Sequence, residues 1–382
     1  MADIYDYLKW RGDLSFENAP FNNIDNAILS EMVYVGLAQL SDKKGSVKKE
    51  IRKAAREFLK ENPVTEPDTI PKIERAAAEL METAAQTERF GHLKLSGYRN
   101  IVSTQAAEQM AVITYWLSDD TVYVAFRGTD DTIAGWKEDF MLSCIPETGG
   151  QQHAVKYMNE YFSDTRLKIM VGGHSKGGNF AVYASAFADR PVRDQIVRVF
   201  SNDGPGFMRN ITQRPEYSEV IPKVVSIIPE GSVVGAIMDN KVKPMVVKSS
   251  AGGLAQHQIL SWEVMGNDFI RAKRRSSSLI FQKGMKDWLS ELTKNELEVF
   301  TECLFGLVEA TGARTLNEIS ASKWNAVKNI ISNAGSMDKE RQRDFFRVIG
   351  QFIKKNGLAA KEDLLLFSAE SRAGRGTTDQ NI

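Results

Sequence analysis

The stretch VGGHSKGGNF, residues 171–180, contains Ser175 with a glycine two positions before it and another two positions after it. The preceding run RLKIMVGG predicts a β-strand, and the following run NFAVYASAFAD predicts a helix. A G-x-S-x-G sequence between a strand and a helix is typical of a sharp, strained turn that exposes a nucleophilic serine. Gly173 and Gly177 are then expected where side chains would collide. The alternative is a glycine-rich loop without chemistry.

A serine hydroxyl is a weak nucleophile and needs a base. At sites of this kind the chain order is Ser, then Asp or Glu, then His. Of the four histidines, only His257 follows Ser175. His92 and His153 come too early, and His174 adjoins the serine, so it cannot readily fold back onto its hydroxyl. The order therefore predicts that His257 is the base and that His174 has a packing or supporting role.

Two carboxylates are candidates for the group that orients the base. Asp203 follows the predicted strand IVRVFSN, and Glu230 follows the predicted strand KVVSIIP. Asp203 is favoured because its side chain is shorter and the turn Gly204-Pro205-Gly206 fixes its position. Either carboxylate can also be a simple turn former, which is a common role.

The developing oxyanion of an acyl-transfer reaction needs hydrogen-bond donors. The backbone N–H of Lys176, at the start of the predicted helix, is one candidate. A second donor is expected in the loop after an earlier strand. Thr129 fits this position because it follows the run TVYVAFRG, and it offers a backbone N–H and a hydroxyl. The alternative for Thr129 is an ordinary Gly-Thr turn.

Three regions are predicted along the chain. Residues 1–100 are mainly helical and should pack on the core, because runs such as VKKEIRKAAREFLKEN space apolar residues three and four apart. Residues 101–267 mix strands and helices, with AVITYWL and TVYVAFRG predicted as a hairpin. Residues 268–382 are helical again. We expect an α/β fold with a mostly parallel central sheet flanked by helices, and helical additions at both ends.

Composition narrows the classes of function. Lys plus Arg and Asp plus Glu both number 49, so the basic excess of a nucleic-acid-binding protein is missing. The two cysteines make neither a disulfide framework nor a zinc cluster, and no metal or cofactor is implied. The run MADIYDYLKW has early acidic residues and no apolar stretch, so no secretory signal is expected. No apolar run approaches the roughly 20 residues of a membrane span. The expected location is the cytoplasm.

The sequences FRGTDDTIAGWKEDF and VGGHSKGGNFAVYAS resemble the class 3 lipase branch of the α/β-hydrolases. Those proteins carry F-R-G-[ST], a tryptophan segment and G-H-S-x-G-G. The bacterial Mbeg1-like family is a closer match, through DYLKWRGDLSFENAPFNNIDNAILSEMVYV, GHSKGGN, SNDGPGF, IIPEGSVVG and QHQILSW, over roughly residues 4–267.

This resemblance has consequences for individual residues. It implies that Ser175 is the nucleophile, Thr129 an oxyanion residue and His257 the base. Class 3 lipases usually have leucine at the position of Lys176, so this chain has a charged residue next to the nucleophile. The charge argues against an apolar lipid-binding surface at the entrance of the site. Their acid follows the later strand, which favours Glu230. The Mbeg1-like family often has glutamine there and keeps the aspartate of NDGPGF, which favours Asp203.

The resemblance implies a serine hydrolase of the lipase or esterase type that cleaves an ester through an acyl-serine intermediate, with lipids and thioesters among the possible substrates. The triad pattern alone also allows a peptidase, an amidase or an acyltransferase. A third possibility is a non-enzymatic protein that binds a partner through aromatic residues of the C-terminal helices. These residues, which form core in the simpler interpretation, are Trp288, Phe300, Phe305, Trp324, Phe345, Phe346 and Phe352.

Overall fold

A computed structural model describes residues 1–41, 47–63, 70–103, 108–130, 133–143, 145–309, 339, 343–352 and 354–355. The strands within these ranges are β1 (Lys49–Glu50), β2 (Lys94–Ser103), β3 (Glu108–Trp116), β4 (Thr121–Phe126), β5 (Lys168–His174), β6 (Ile196–Asn202), β7 (Val224–Pro229), β8 (Met245–Val247), β9 (Val264–Met265) and β10 (Asp268–Phe269).

The α-helices lie before, between and after these strands. They are α1 (Ile4–Arg11), α2 (Asn23–Met32), α3 (Ile51–Glu61), α4 (Lys72–Ala85), α5 (Glu88–Gly91), α6 (Ile133–Met141), α7 (Gly149–Phe162), α8 (Lys176–Phe187), α9 (Arg190–Gln195), α10 (Arg209–Thr212), α11 (Pro215–Val220), α12 (Ser276–Glu291) and α13 (Lys294–Glu309). Residues 343–352 are also helical.

Strands β1 to β8 form one sheet in which each strand lies beside its neighbour in the sequence. The first four strands pair antiparallel, and β4 to β8 pair parallel. The prediction of an α/β fold with a largely parallel sheet is therefore confirmed, and β3 and β4 form the predicted hairpin. The short strands β1 and β8 and the longer β2 were not predicted.

Alternation along the strands divides the core between the two faces of the sheet. In β4, Val122, Val124 and Phe126 pack with α7, α8 and α11 on one face. Tyr123 and Ala125 of the same strand pack with α1 to α4 on the other. The N-terminal helices thus share a core with the sheet, and the boundary expected near residue 100 falls inside β2.

The helices after the sheet form a third apolar cluster. Its buried aromatic members include Trp288, Phe300 and Phe345, and Phe140 of α6 packs against it. Of the aromatic residues considered as a partner surface, Phe346 is 45% exposed, and Trp324 lies outside the described residues. The described aromatic residues therefore mostly form core, as in the simpler interpretation.

Length and apolar character decide whether a helix can cross a bilayer. In the part of the chain that the structure describes, no helix combines the length and the apolar character needed for this.

The parallel part of the sheet brings distant residues to one edge. Thr129 follows β4, Ser175 follows β5, Asp203 follows β6 and Glu230 follows β7. Because parallel strands end on the same side, the loops after them meet there, and this edge is where α/β sheets bind ligands. The topology therefore directs attention to the carboxyl edge of the sheet.

Candidate active site

Ser175 connects β5 directly to α8 and has an unusual backbone conformation, with φ 56° and ψ −131°. A non-glycine residue at positive φ is strained and persists only where its surroundings hold it. The Ser175 N–H donates to the carbonyl of Asn202 at 2.9 Å, and the Gly178 N–H donates to the Ser175 carbonyl at 2.9 Å. A Cβ on Gly177 would collide with the carbonyl oxygen of Phe126, which explains the glycine at this position.

A buried network of hydrogen bonds holds the strand end that leads into this turn. The side chain of Asn202 donates to the carbonyl of Gly173 at 3.2 Å. It also exchanges hydrogen bonds with Asn26 of α2, at 2.8 and 3.1 Å. Asn202 therefore links the end of β5 to the N-terminal region through side-chain contacts, while its carbonyl holds Ser175.

His257 and Asp203 form a close pair at the same edge of the sheet. Nδ1 of His257 lies 2.7 Å from Oδ2 of Asp203. Asp203 is completely buried, and its other oxygen accepts hydrogen bonds from the Ser232 hydroxyl at 2.5 Å and the Gly235 N–H at 3.2 Å. Both carboxylate oxygens are thus engaged, and His257 donates from Nδ1, which leaves Nε2 as the ring nitrogen that can accept a proton.

The ring of His257 lies beside the ring of the residue that precedes the serine. His174, the residue before Ser175, has its ring centroid 4.5 Å from that of His257. Among the hydrogen bonds of the described residues, none joins the Ser175 hydroxyl to His257. Catalytic hydrogen bonds are often long in ligand-free proteins and shorten when substrate binds.

The second candidate acid has a different partner. Glu230 accepts a hydrogen bond from Arg275 at 2.8 Å, and its carbonyl accepts the Arg275 N–H at 2.7 Å. Arg275 is the N-cap residue of α12. Glu230 therefore joins the β7 loop to the C-terminal helices, whereas His257 contacts Asp203.

Thr129 lies close to the serine because Gly128 permits a tight approach. A Cβ on Gly128 would lie 2.5 Å from the carbonyl oxygen of His174 and 3.0 Å from Cβ of Ser175. The hydroxyl of Thr129 donates to Oδ2 of Asp139 at 2.6 Å. We expected Thr129 to offer both a hydroxyl and an N–H to an oxyanion. The hydroxyl proton is directed to Asp139 instead, which leaves the backbone N–H for that role.

Asp139 is itself electrostatically unusual. Burial, with contributions from neighbouring carboxylates such as Glu138, raises the pKa of Asp139 to about 6, although the Lys176 ammonium and the Thr129 hydrogen bond oppose the rise. Oδ1 of Asp139 is buried and accepts no hydrogen bond from a described residue. The carboxylate beside Thr129 is therefore poorly stabilised in its charged form.

Lys176 begins α8, where first-turn N–H groups have no acceptor within the helix. Its side chain is 1% exposed, and Nζ lies 3.0 Å from Oε2 of Glu138. Glu138 also accepts the N–H groups of Gln109 and Gly150, each at 2.8 Å. The charge that departs from the lipase pattern is thus buried and paired, and it is not exposed beside the nucleophile.

A family model described as Mbeg1-like matches residues 84–306, which is more than half of the chain. The chain belongs to the Mbeg1-like family. A crystal structure of M37 lipase aligns with 55% of this chain and 68% of that chain, at 15% sequence identity and a TM-score of 0.31. No curated protein matches.

In this Mbeg1-like chain, the sequence did not predict the contacts that four residues make at the site. Ser232 and Asp139 hold Asp203 and Thr129, while Glu31 and His174 contact each other. One signal for Glu31 was available. It is the only charged residue in the otherwise apolar run AILSEMVYV, and a buried carboxylate needs a partner.

Proposed function

We propose that this protein is a serine hydrolase of the lipase or esterase type. The observation that carries the proposal is the 2.7 Å pair of His257 and Asp203 at the edge of the sheet where Ser175 has its strained turn. Strain of this kind is a feature of nucleophilic serines that follow a central strand. The membership of the Mbeg1-like family gives no reaction by itself.

The chemistry assigns one role to each group. The Ser175 oxygen attacks the ester carbonyl while Nε2 of His257 takes the hydroxyl proton, and Asp203 stabilises the imidazolium that forms. The backbone N–H groups of Lys176 and Thr129 bind the oxyanion. Collapse of the intermediate expels the alcohol, which receives the proton from His257. Water then releases the acid from the acyl-serine by the same steps.

An ester is proposed as the substrate because the FRGT and GHSKGG sequences resemble those of class 3 lipases. The ammonium of Lys176 is buried and paired with Glu138, so it no longer argues against an apolar acyl-binding surface. The proposal therefore extends to uncharged acyl chains, with the chain length left to a graded ester panel.

The decisive experiment is active-site labelling with a fluorophosphonate probe. The wild type should be labelled, and mass spectrometry should find the adduct on Ser175. The Ser175→Ala variant should lose both labelling and turnover of p-nitrophenyl esters, with an unchanged melting temperature. Ser118→Ala, in the turn between β3 and β4, is the matched control and should behave as wild type.

Two results would count against the hydrolase. Equal labelling of wild type and Ser175→Ala would remove the nucleophile assignment. A folded wild type that neither reacts with the probe nor hydrolyses any ester in the panel would favour a non-enzymatic protein on a hydrolase scaffold.

A further inference from the structure

His174 is buried between a carboxylate and the backbone of the proposed base. Nδ1 of His174 lies 2.8 Å from Oε1 of Glu31, and the two side chains are 3% and 7% exposed. The other ring nitrogen, Nε2, lies 2.8 Å from the carbonyl oxygen of His257. One imidazole therefore connects α2, the end of β5 and the turn that carries His257.

The partners of His174 determine where its protons lie. A carbonyl oxygen only accepts, so Nε2 must donate to His257. An ionised Glu31 repels a lone pair, so Nδ1 also needs a proton, although the 2.8 Å contact is an ion pair without the geometry of a linear hydrogen bond. Burial is the largest single effect and lowers the pKa of His174. The charge and contact of Glu31, the charge of Asp203 and the His257 carbonyl together outweigh burial, and the net pKa is raised.

The turn that carries His257 is held next to this residue by the indole N–H of Trp262, which donates to the Gln256 carbonyl at 2.9 Å. Among the hydrogen bonds of the described residues, only the one from His174 reaches the His257 carbonyl itself. Residues 253–255 are exposed, and Leu254 is 72% exposed. Within the turn Gln256 is buried, where it accepts the N–H of Gly231 at 3.0 Å. Asp203 holds the ring of His257 at Nδ1, and this contact alone does not fix the backbone behind the ring. Exposed turns of this kind open easily unless side chains from the core hold them.

We propose that Glu31 and His174 form a positioning pair, which holds the backbone of His257 so that its ring meets Ser175. The idea rests on the hydrolase proposed above, because only then is His257 a base. The pair acts through His257 and does not contact substrate. Catalysis is sensitive to such positioning, since a displacement of about 1 Å can cost roughly 10²-fold in rate.

Other groups around His174 are consistent with a cationic ring. Glu31 faces it from α2, Asp203 lies beyond it at the end of β6, and the Tyr34 ring is 6.4 Å away. The ring of His257 is the group that gains a positive charge during the reaction. Two carboxylates therefore surround the two imidazoles, which keeps the local charge balanced when His257 is protonated.

The test begins with two substitutions of Glu31, assayed at pH 8 with a p-nitrophenyl ester. Glu31→Ala should lower kcat on the order of 10- to 100-fold while KM stays within about twofold, because orientation and not binding is lost. Glu31→Gln should retain most of kcat, because its amide can donate to Nδ1 of a neutral His174. An unchanged kcat in Glu31→Ala, or an equal loss in both variants, would overturn the proposal.

A second measurement does not depend on turnover. Hydrogen–deuterium exchange of the peptide containing residues 253–258 should be at least about tenfold faster in Glu31→Ala than in wild type, because the His257 carbonyl loses its donor. The matched control is Glu108→Ala, which breaks the His153–Glu108 contact of 3.2 Å elsewhere in the protein. It should leave this peptide unchanged. Unaltered exchange in Glu31→Ala would contradict the pair.

The isosteric variant Glu31→Gln tests the proposal even if Glu31→Ala does not fold. Nitrogen-15 spectra at pH 6.5 should show a mainly cationic His174 in wild type and a mainly neutral one in Glu31→Gln. A neutral His174 in wild type would refute the assignment. If the wild type shows no esterase activity or probe labelling, yet exchange and spectra behave as expected, the contact is real and the hydrolase proposal is what fails.

Discussion

His257 and Asp203 are joined by a 2.7 Å contact between Nδ1 and Oδ2, although 54 residues separate them in the sequence. Asp203 is also held independently of the histidine, because its remaining oxygen accepts a hydrogen bond from Ser232. A carboxylate that accepts from Nδ1–H selects the tautomer in which Nε2 has the lone pair. The pair therefore presents a proton acceptor at the edge of the sheet where Ser175 lies.

Asp203→Asn should lower kcat by about 10⁴-fold, because the amide can donate to Nδ1 and so stabilises the wrong tautomer. Glu230→Gln should cost much less, since Glu230 pairs with Arg275 and not with His257. Steady-state kinetics on one ester measures both. A larger loss in Glu230→Gln than in Asp203→Asn would reverse the two roles.

His257→Gln should remove most of the activity, because the general base of the proposed mechanism is lost. The protein should remain folded, because the histidine lies in a surface turn and is 21% exposed. His92→Gln and His153→Gln are controls that keep turnover near the wild-type value. A His257→Gln variant with wild-type turnover would rule out the triad and favour a binding protein.

The strand–turn–helix around Ser175 was accessible to sequence analysis because its signals are local. The β-branched and aromatic residues of AVITYWL and TVYVAFRG predicted β3 and β4, and the glycines of GHSKGG predicted the tight turn after β5. The chain order of Ser175, Asp203 and His257 was a second signal that needs no knowledge of the packing, and the structure brings the last two into contact.

Contacts that depend on tertiary structure were not accessible. The three-residue strand β8 has too few residues for a periodicity. Nothing near Lys176 in the sequence indicates that its ammonium pairs with Glu138, because 38 residues separate them. The same is true of Glu31 and His174, which come from α2 and β5. Such partners are determined by how the helices pack on the sheet and on one another, which the sequence indicated only in general terms.

Lys176→Leu introduces the residue usual in class 3 lipases and should destabilise this protein. The change leaves Glu138 buried without its cation, which typically costs about 3–5 kcal/mol of unfolding free energy. Urea denaturation at pH 7 measures the loss. Lys283→Leu is the matched control, because Lys283 is 79% exposed and pairs with Asp287 on the surface of α12. It should leave the urea midpoint nearly unchanged, and an equal effect of both substitutions would show that the buried pair has no special weight.

Asp139→Asn should stabilise the protein in a way that depends on pH. The pKa of Asp139 is raised to about 6 from an ordinary value of 3.8, so between these values the folded state binds more protons than the unfolded state. The contribution of Asp139 to stability is therefore present at low pH and is lost as pH rises through about 6. Asparagine resembles the protonated carboxyl group and does not ionise, so its contribution to stability does not fall as pH rises.

The advantage of Asp139→Asn over wild type should consequently grow by about 1–2 kcal/mol between pH 5 and pH 8. Urea denaturation of both proteins at the two pH values measures this difference. The asparagine oxygen can still accept the Thr129 hydroxyl, so the loop after β4 should keep its position. An advantage that is equal at pH 5 and pH 8 would mean that Asp139 is already ionised at pH 5, and that burial does not disfavour its charge.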